Sequence, residues 1–326
     1  MDSGGILPAA ATERVFPTAF AFRRFLQGVL PEHLAVLPDR DPIRNLPSPT
    51  RLDLPNRFRT DIEIDLARLP IDPRVAPTLR GGETEARRRM QEFLRHRLSR
   101  YDKDRNHPDL DGSSVLSPFL RFGHLSAHEI VATLVKEPPP NRRPTGRKAG
   151  WWRLTAPVES FLDELITWRE LGINYASKRN DFDRYESLSA WARRTREKHV
   201  KDRREPRYSP GDLEATDTHD PLWNVAQTQL VREGRLHNYI RMLWGKKILE
   251  WTRSPEEAIE VMIDLNNKYA LDGRYPNSYS GIFWVLSRYD RPWGPERPVF
   301  GLIRYMSSQN TARKLRVSDY VRRYAP

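Results

Sequence analysis

Between Thr218 and Trp293 the apolar residues recur at helical spacing in three successive blocks. Asp220 is an N-cap candidate ahead of Pro221, and Gly234 stops the first helix just past its last apolar position. A second helix is predicted from about Leu236 to Thr252. Ser254-Pro255-Glu256-Glu257 reads as a capping box that opens a third. LDGRYPN then has loop chemistry, and a further apolar segment carries Trp284. Upstream, Gly81-Gly82 marks a boundary, and Glu83 to Ser99 places Met90, Phe93, Leu94 and Leu98 on one helical face. Ser117-Pro118 starts a short helix, Ser126 and Glu129 form another capping box, and APVESFLDELITWRELGINYAS reads as one long helix. Residues 189–207 make a charged helix with an expected solvated face. Phe16 to Leu30 reads as a short amphipathic helix, residues 1–15 as disordered, and residues 31–80 as a proline-rich linker. No strand–helix alternation occurs, so the predicted class is mainly α, with one large unit over 81–326.

Composition narrows the chemistry. With no cysteine among 326 residues, disulfides, thiol nucleophiles and cysteine zinc sites are excluded. There is no apolar run long enough to span a membrane, and MDSGGILPAAATERV lacks the basic-then-apolar pattern of a signal peptide. The expected compartment is the cytoplasm. The formal net charge of +12, carried mostly by arginine, suits polyanions, although a merely solvated basic surface has the same composition. Nine tryptophans go with stacking sites.

Several residue groups have two readings. Trp244 and Trp251 are seven apart, which on a helix puts them on one face about 10 Å apart along the axis. They are core residues or a hopping pair for an electron. Asn238 and Arg241 share that face, and a buried arginine needs a carboxylate, for which Asp272 is a candidate. Glu164 and Trp168, four apart, project together, as a rim carboxylate beside a core indole or as a working pair. The turn Gly112-Ser113-Ser114 before Ser117 is an ordinary cap or an anion cradle. His124 and His128 have metal-ligand spacing but no third ligand nearby, and read as structural. PPPNRRPTGRKAG, residues 138–150, is an exposed basic loop.

HDPLWN.AQ, LHNYIRMLWGKKILEW, SPEEA, LNNKYALDGR, SGIFW and RPVFGLIRYM, in this order, resemble the class II cyclobutane pyrimidine dimer photolyases over about residues 80–326. The resemblance implies a helical FAD-binding domain of the photolyase/cryptochrome type, preceded by a remnant of the α/β antenna domain. It implies light-driven repair of pyrimidine dimers in double-stranded DNA by fully reduced, anionic FAD, in a monomer. A second antenna chromophore is expected to be absent. The FAD diphosphate would be gripped by Tyr101, Arg105 and the run Ser113, Ser114, Val115, Leu116 and Ser117. Arg241 and Asp272 would pair beside the isoalloxazine, Asn266 would stand near flavin N5, and Gln227 and Asn238 would line the pocket. Glu164 would hydrogen-bond the damaged bases between the walls Trp168 and Trp284. Trp244, Trp223 and Trp251 would carry electrons to oxidised flavin. Tyr275 stands where the family motif leads one to expect an acidic residue. The alternatives are a cryptochrome-like photoreceptor, a DNA-binding module without flavin, and an inactive fragment.

Overall fold

A computed structural model describes residues 4–35, 78–137 and 143–325, with isolated positions between 38 and 75. Helices α1 (Ala19–Ala35), α2 (Glu83–His96), α3 (Tyr101–Asp104), α4 (Ser117–Arg121) and α5 (Ala127–Leu134) come first. A rod follows, made of α6 (Ala156–Leu162) and α7 (Arg169–Ser177) joined through a π-helical turn, Asp163–Trp168. Then come α8 (Ala190–Lys198), α9 (Pro210–Glu214), α10 (Pro221–Glu233) and α11 (Asn238–Trp251). The chain ends with α12 (Pro255–Tyr269), α13 (Pro276–Val285), α14 (Ser308–Lys314) and α15 (Ser318–Tyr324). Among the described residues the only strand-like pairing is an isolated bridge between Arg297 and Gly301.

The helix boundaries follow from local chemistry. Asp220 accepts from the Trp223 amide at 3.1 Å to start α10, and Gly234 ends it at φ 64°, a left-handed conformation that favours glycine. Ser254 and Ser126 each cap as expected, accepting from the amides of Glu257 and Glu129. Their glutamates do not close the boxes: Glu257 takes the amide of Arg253, and Glu129 takes the guanidinium of Arg87. A complete box forms instead between Ser209 and Asp212.

Two apolar clusters result. One gathers α10, α11 and α12 around Trp223, Trp244 and Trp251. The other gathers α1, α2 and α6 around Phe22, Phe93 and Phe161. Helix α13 serves both, giving Phe283 and Val285 to the first and Trp284 to the second. It lies directly on α7, where a Cβ at Gly172 would meet the Cα of Asn277 at 2.7 Å, so only glycine permits the approach.

The N-terminal expectations need correction. Residues 4–11 are packed rather than disordered. Ile6 and Leu7 are buried, and the Ile6 amide donates to Glu170 at 2.7 Å. The Gly4 carbonyl accepts from Arg169 and from the Tyr275 hydroxyl, so the departure at Tyr275 serves to hold this segment. Helix α1 starts at Ala19 and shares its core with α2 and α6, so the glycines at 81 and 82 do not separate two cores. Its apolar face is covered: Phe16, Phe22, Leu26 and Leu30 are buried. Most of the proline-rich stretch lies outside the described residues, as do residues 138–142 of the basic loop. The rest of that loop is tied to α1 through Gln27, which accepts from the amides of Thr145 and Gly146.

The charged helix is also less solvated than its composition suggests. It ends at Lys198, and Arg196 and Arg204 are buried. Arg204 donates to the carbonyls of Leu249 and Thr252, neutralising the C-terminal end of α11. Burial, then the Arg204 charge, holds Arg196 down to about 10.

Candidate active site

A cleft opens between the serine turn before α4, the α6–α7 rod, the start of α11 and the helix α13. The π-helical turn places Glu164 and Trp168 on the cleft wall, and such turns insert an extra residue per turn where function re-aims side chains. Ser113 to Ser117 line the same cleft as Arg241 and Asp272. Within that turn Val115 sits at φ 55°, a sterically strained conformation for a β-branched residue. Strain of this kind costs about 1–3 kcal/mol and concentrates at ligand clamps.

Of the residues singled out in the sequence, the cleft brings together Tyr101, Ser113, Ser114, Val115, Leu116, Ser117, Glu164, Trp168, Asn238, Arg241, Asp272 and Trp284. Arg241 and Asp272 approach to 3.7 Å, each with about one-fifth of its side chain exposed. Asp272 Oδ1 is buried with no hydrogen-bond partner, so it retains an acceptor for a ligand. Three expected contacts are not on the wall. Gln227 is fully buried and accepts from the Trp244 indole at 2.9 Å. The Asn266 amide donates to Ser278 Oγ at 2.7 Å. Arg105 turns away from the serine turn to form an ion pair with Glu164, its guanidinium 5.6 Å from the Tyr101 ring. Burial, then the Glu164 charge, pushes the Tyr101 hydroxyl well up, so it stays protonated.

Residues missed at the sequence level complete the wall. Arg169, directly after Trp168, is buried; its Nη1 stands 3.7 Å from the Glu170 carboxylate, and its Nε makes no hydrogen bond. A basic residue inside a buried helical run is a visible signal of a ligand or ion-pair role. His237 precedes α11, and both its ring nitrogens are buried without a partner. His124, by contrast, accepts from the Gly82 amide and packs on Phe119 and Phe122, and no metal-binding cluster exists among the described residues.

Burial lowers His237 from 6.5 to about 4, which gives a signed pH dependence. Its folded-state pKa is depressed, so the unfolded chain takes up the proton first as pH falls. The associated stability is intact above pH 6.5 and is lost between there and about pH 4, a loss of roughly 3 kcal/mol. Denaturant unfolding at pH 7 and at pH 4 should show His237→Gln losing less stability than the parent by about that amount. Equal losses would mean that the imidazole is solvated or paired.

Behind the cleft the three tryptophans form a continuous set. Trp223 reaches from α10 into the seven-residue gap between Trp244 and Trp251. Its indole donates to the Trp244 carbonyl at 3.0 Å, and its ring lies 5.5 Å from that of Trp251. All three are buried, and the ring of Trp251 meets those of Tyr208 and His219 beyond. His219 and Tyr208 are hydrogen-bonded at the exposed surface.

A second cleft, beside α11 and α14, is lined by Arg297, Arg304 and Lys314 with Trp293 and Tyr305, and by no acidic residue. Arg291 and Arg304 each lie over Trp293, at 4.3 and 5.1 Å.

No protein-family model matches the chain. The deoxyribodipyrimidine photo-lyase of Oryza sativa subsp. japonica is 35% identical over 333 residues, covering 98% of this chain and 62% of that protein. That of Potorous tridactylus is 40% identical over 238 residues, 73% of this chain and 42% of that protein. That of Methanothermobacter thermautotrophicus is 39% identical over 244 residues, 75% and 51%. The chain thus spans about half the length of the curated relatives it matches. Among solved structures, a bacterial class III photolyase from Agrobacterium tumefaciens matches with a TM-score of 0.65 at 17% identity, over 99% of this chain and 61% of that one. A cryptochrome from Synechocystis sp. PCC6803 matches with a TM-score of 0.64 at 19% identity, over 96% and 59%. These two show the fold. With that fold, and with 35–40% identity to named photo-lyases over most of its length, the chain belongs to the photolyase/cryptochrome family.

Proposed function

We propose that this chain repairs cyclobutane pyrimidine dimers in DNA, using light and a reduced FAD held in the main cleft. The observation that carries the reading is the junction of two chemistries in one cleft: a serine turn and a cation–carboxylate pair, together with a carboxylate beside two stacked indoles. When bound, the flavin supplies an electron on excitation. The wall residues fit it through buried atoms that make no hydrogen bond within the chain: Asp272 Oδ1, the His237 ring nitrogens and Arg169 Nε. The serine turn and Arg169 hold phosphate, and Arg241 with Asp272 fixes the polar edge of an aromatic ring. Glu164, oriented by Arg105, faces the space that a flipped dimer would occupy, and Tyr101 remains a neutral hydrogen-bond donor there.

DNA binding rests on charge. The acid-free second cleft and the exposed Arg143, Arg147 and Lys148 offer phosphate contacts outside the lesion site. No helix among the described residues is long and apolar enough to cross a membrane.

The test pairs an absorption spectrum of the purified protein with a repair assay on a duplex that carries one dimer. Flavin bands and light-dependent loss of the dimer under reducing conditions are expected. Flavin without repair would favour a photoreceptor, and colourless protein that still binds DNA would leave only a binding module.

A further inference from the structure

Trp168 and Trp284 reach the cleft from opposite elements, the π-helical turn and α13. Their rings are stacked on each other, with centroids 4.6 Å apart and planes 20° apart. Stacked aromatic rings stand about 4.5–7 Å apart, so two rings that hold a base between them need roughly double that separation. At the observed spacing the two indoles occupy one another's stacking faces, and no base enters.

The two rings are not held alike. The edge of Trp168 meets Tyr289 at 6.3 Å and 74°, and Tyr289 is buried against Ser280 and the Arg288 guanidinium. Trp284 has room to move. A helical side chain leans toward the residue one turn earlier, here Gly281, and a Cβ at Gly281 would meet nothing within 4 Å. The end of α13 behind Trp284 is anchored, because the buried Lys246 ammonium donates to the Val285 carbonyl. Ring rotation over Gly281, rather than helix movement, is therefore the accessible opening.

We propose that the Trp168–Trp284 stack is a self-closing gate on the lesion site, with Trp168 the fixed jamb and Trp284 the moving leaf. This rests on the reading of the cleft as a dimer-binding site. A flipped nucleotide enters only by replacing the indole–indole contact with its own. The stack thus competes with every occupant, at an affinity cost of about 2- to 12-fold for a contact of this kind. Ligands that present a single base gain one face for the two they separate. A joined pair of pyrimidines, already unstacked and unpaired at little cost, offers a larger surface. The gate keeps the space between the two indoles closed to undamaged bases between encounters.

The experiment uses the flavin-loaded full chain labelled with 5-fluorotryptophan, in the dark. The Trp168 and Trp284 lines are assigned from the line lost in Trp168→Leu and in Trp284→Leu. In free protein, Trp284→Leu should also move the Trp168 fluorine line downfield, as it loses the shielding of its neighbour. An unmoved line would show that the rings are not stacked in solution and overturn the proposal. Adding a duplex with one central dimer should shift both lines, while those of Trp223, Trp244 and Trp251 stay in place. The undamaged duplex at equal concentration should shift neither. Binding is followed in parallel by fluorescence anisotropy of the labelled duplexes. Tighter binding of the damaged duplex with both lines unmoved would sink the gate alone. Equal binding of damaged and undamaged duplex would sink the lesion-site reading, and the gate with it.

Discussion

Trp244→Phe should slow light-driven reduction of bound flavin by at least about tenfold, the factor that 1.4 kcal/mol of added barrier already produces. Phenylalanine is much harder to oxidise than tryptophan. In the proposed path Trp244 is the member of the buried set that shares its helix face with Arg241 on the cleft wall. Its indole is hydrogen-bonded to Gln227, and its carbonyl to Trp223, which touches Trp251. Removing the first relay leaves the later two with a longer gap to cross. Trp244 is absent from the cleft wall, so protein reduced chemically beforehand should still split dimers. The measurement is flavin bleaching under illumination with a mild reductant, beside repair by the pre-reduced protein. Unchanged bleaching would place the electron path elsewhere, and loss of repair after chemical reduction would give Trp244 a second role.

Asp272→Ala should release flavin. The substitution leaves the Arg241 guanidinium facing the cleft without its carboxylate, and removes an acceptor that has no other partner. The pair is about one-fifth exposed, so the cost is less than for a fully buried pair. A hydrogen bond to a charged group contributes roughly 1.5–3 kcal/mol, or about 12- to 150-fold in flavin retention. Asp272→Asn, which keeps an acceptor oxygen, should fall between the parent and the alanine variant. Flavin content after gel filtration decides the matter. A full complement in Asp272→Ala would show that this pair does not hold the cofactor.

Local chemistry was legible in the sequence where cause and effect lie within a few residues. Asp220, Gly234, Ser126 and Ser254 each end or start the helix that their side chains or backbone dictate. The four-residue spacing of Glu164 and Trp168 put both on the cleft wall, even though the turn between them is π rather than α. What could not be read is contact between distant segments. Trp223 fills the space between Trp244 and Trp251 from another helix, and no spacing along α11 reveals that. Arg105 meets Glu164 across 59 residues, and Tyr275 meets Gly4 across 271. Arg196 and Arg204 looked like surface charge because composition cannot tell a solvated arginine from one that serves a helix end. The partners of the apolar face of α1 could not be read either: Phe93 and Phe161 belong to the unit beyond the expected boundary.

The packed N-terminal segment has a consequence for how the molecule opens. Segments outside the helices ordinarily open first and independently of the rest. Here the Ile6 amide is bound to Glu170 and the Gly4 carbonyl to Arg169, the two residues that follow the Trp168 wall directly in sequence. Fraying at residues 4–6 therefore cannot occur without unlatching the start of α7. It also removes a carbonyl acceptor of the Tyr275 hydroxyl at the head of α13, the helix that carries Trp284, and leaves that hydroxyl accepting from Arg169. Both jaws of the cleft are buttoned to the same few residues, so this segment shares the opening energy of the cleft instead of lying below it.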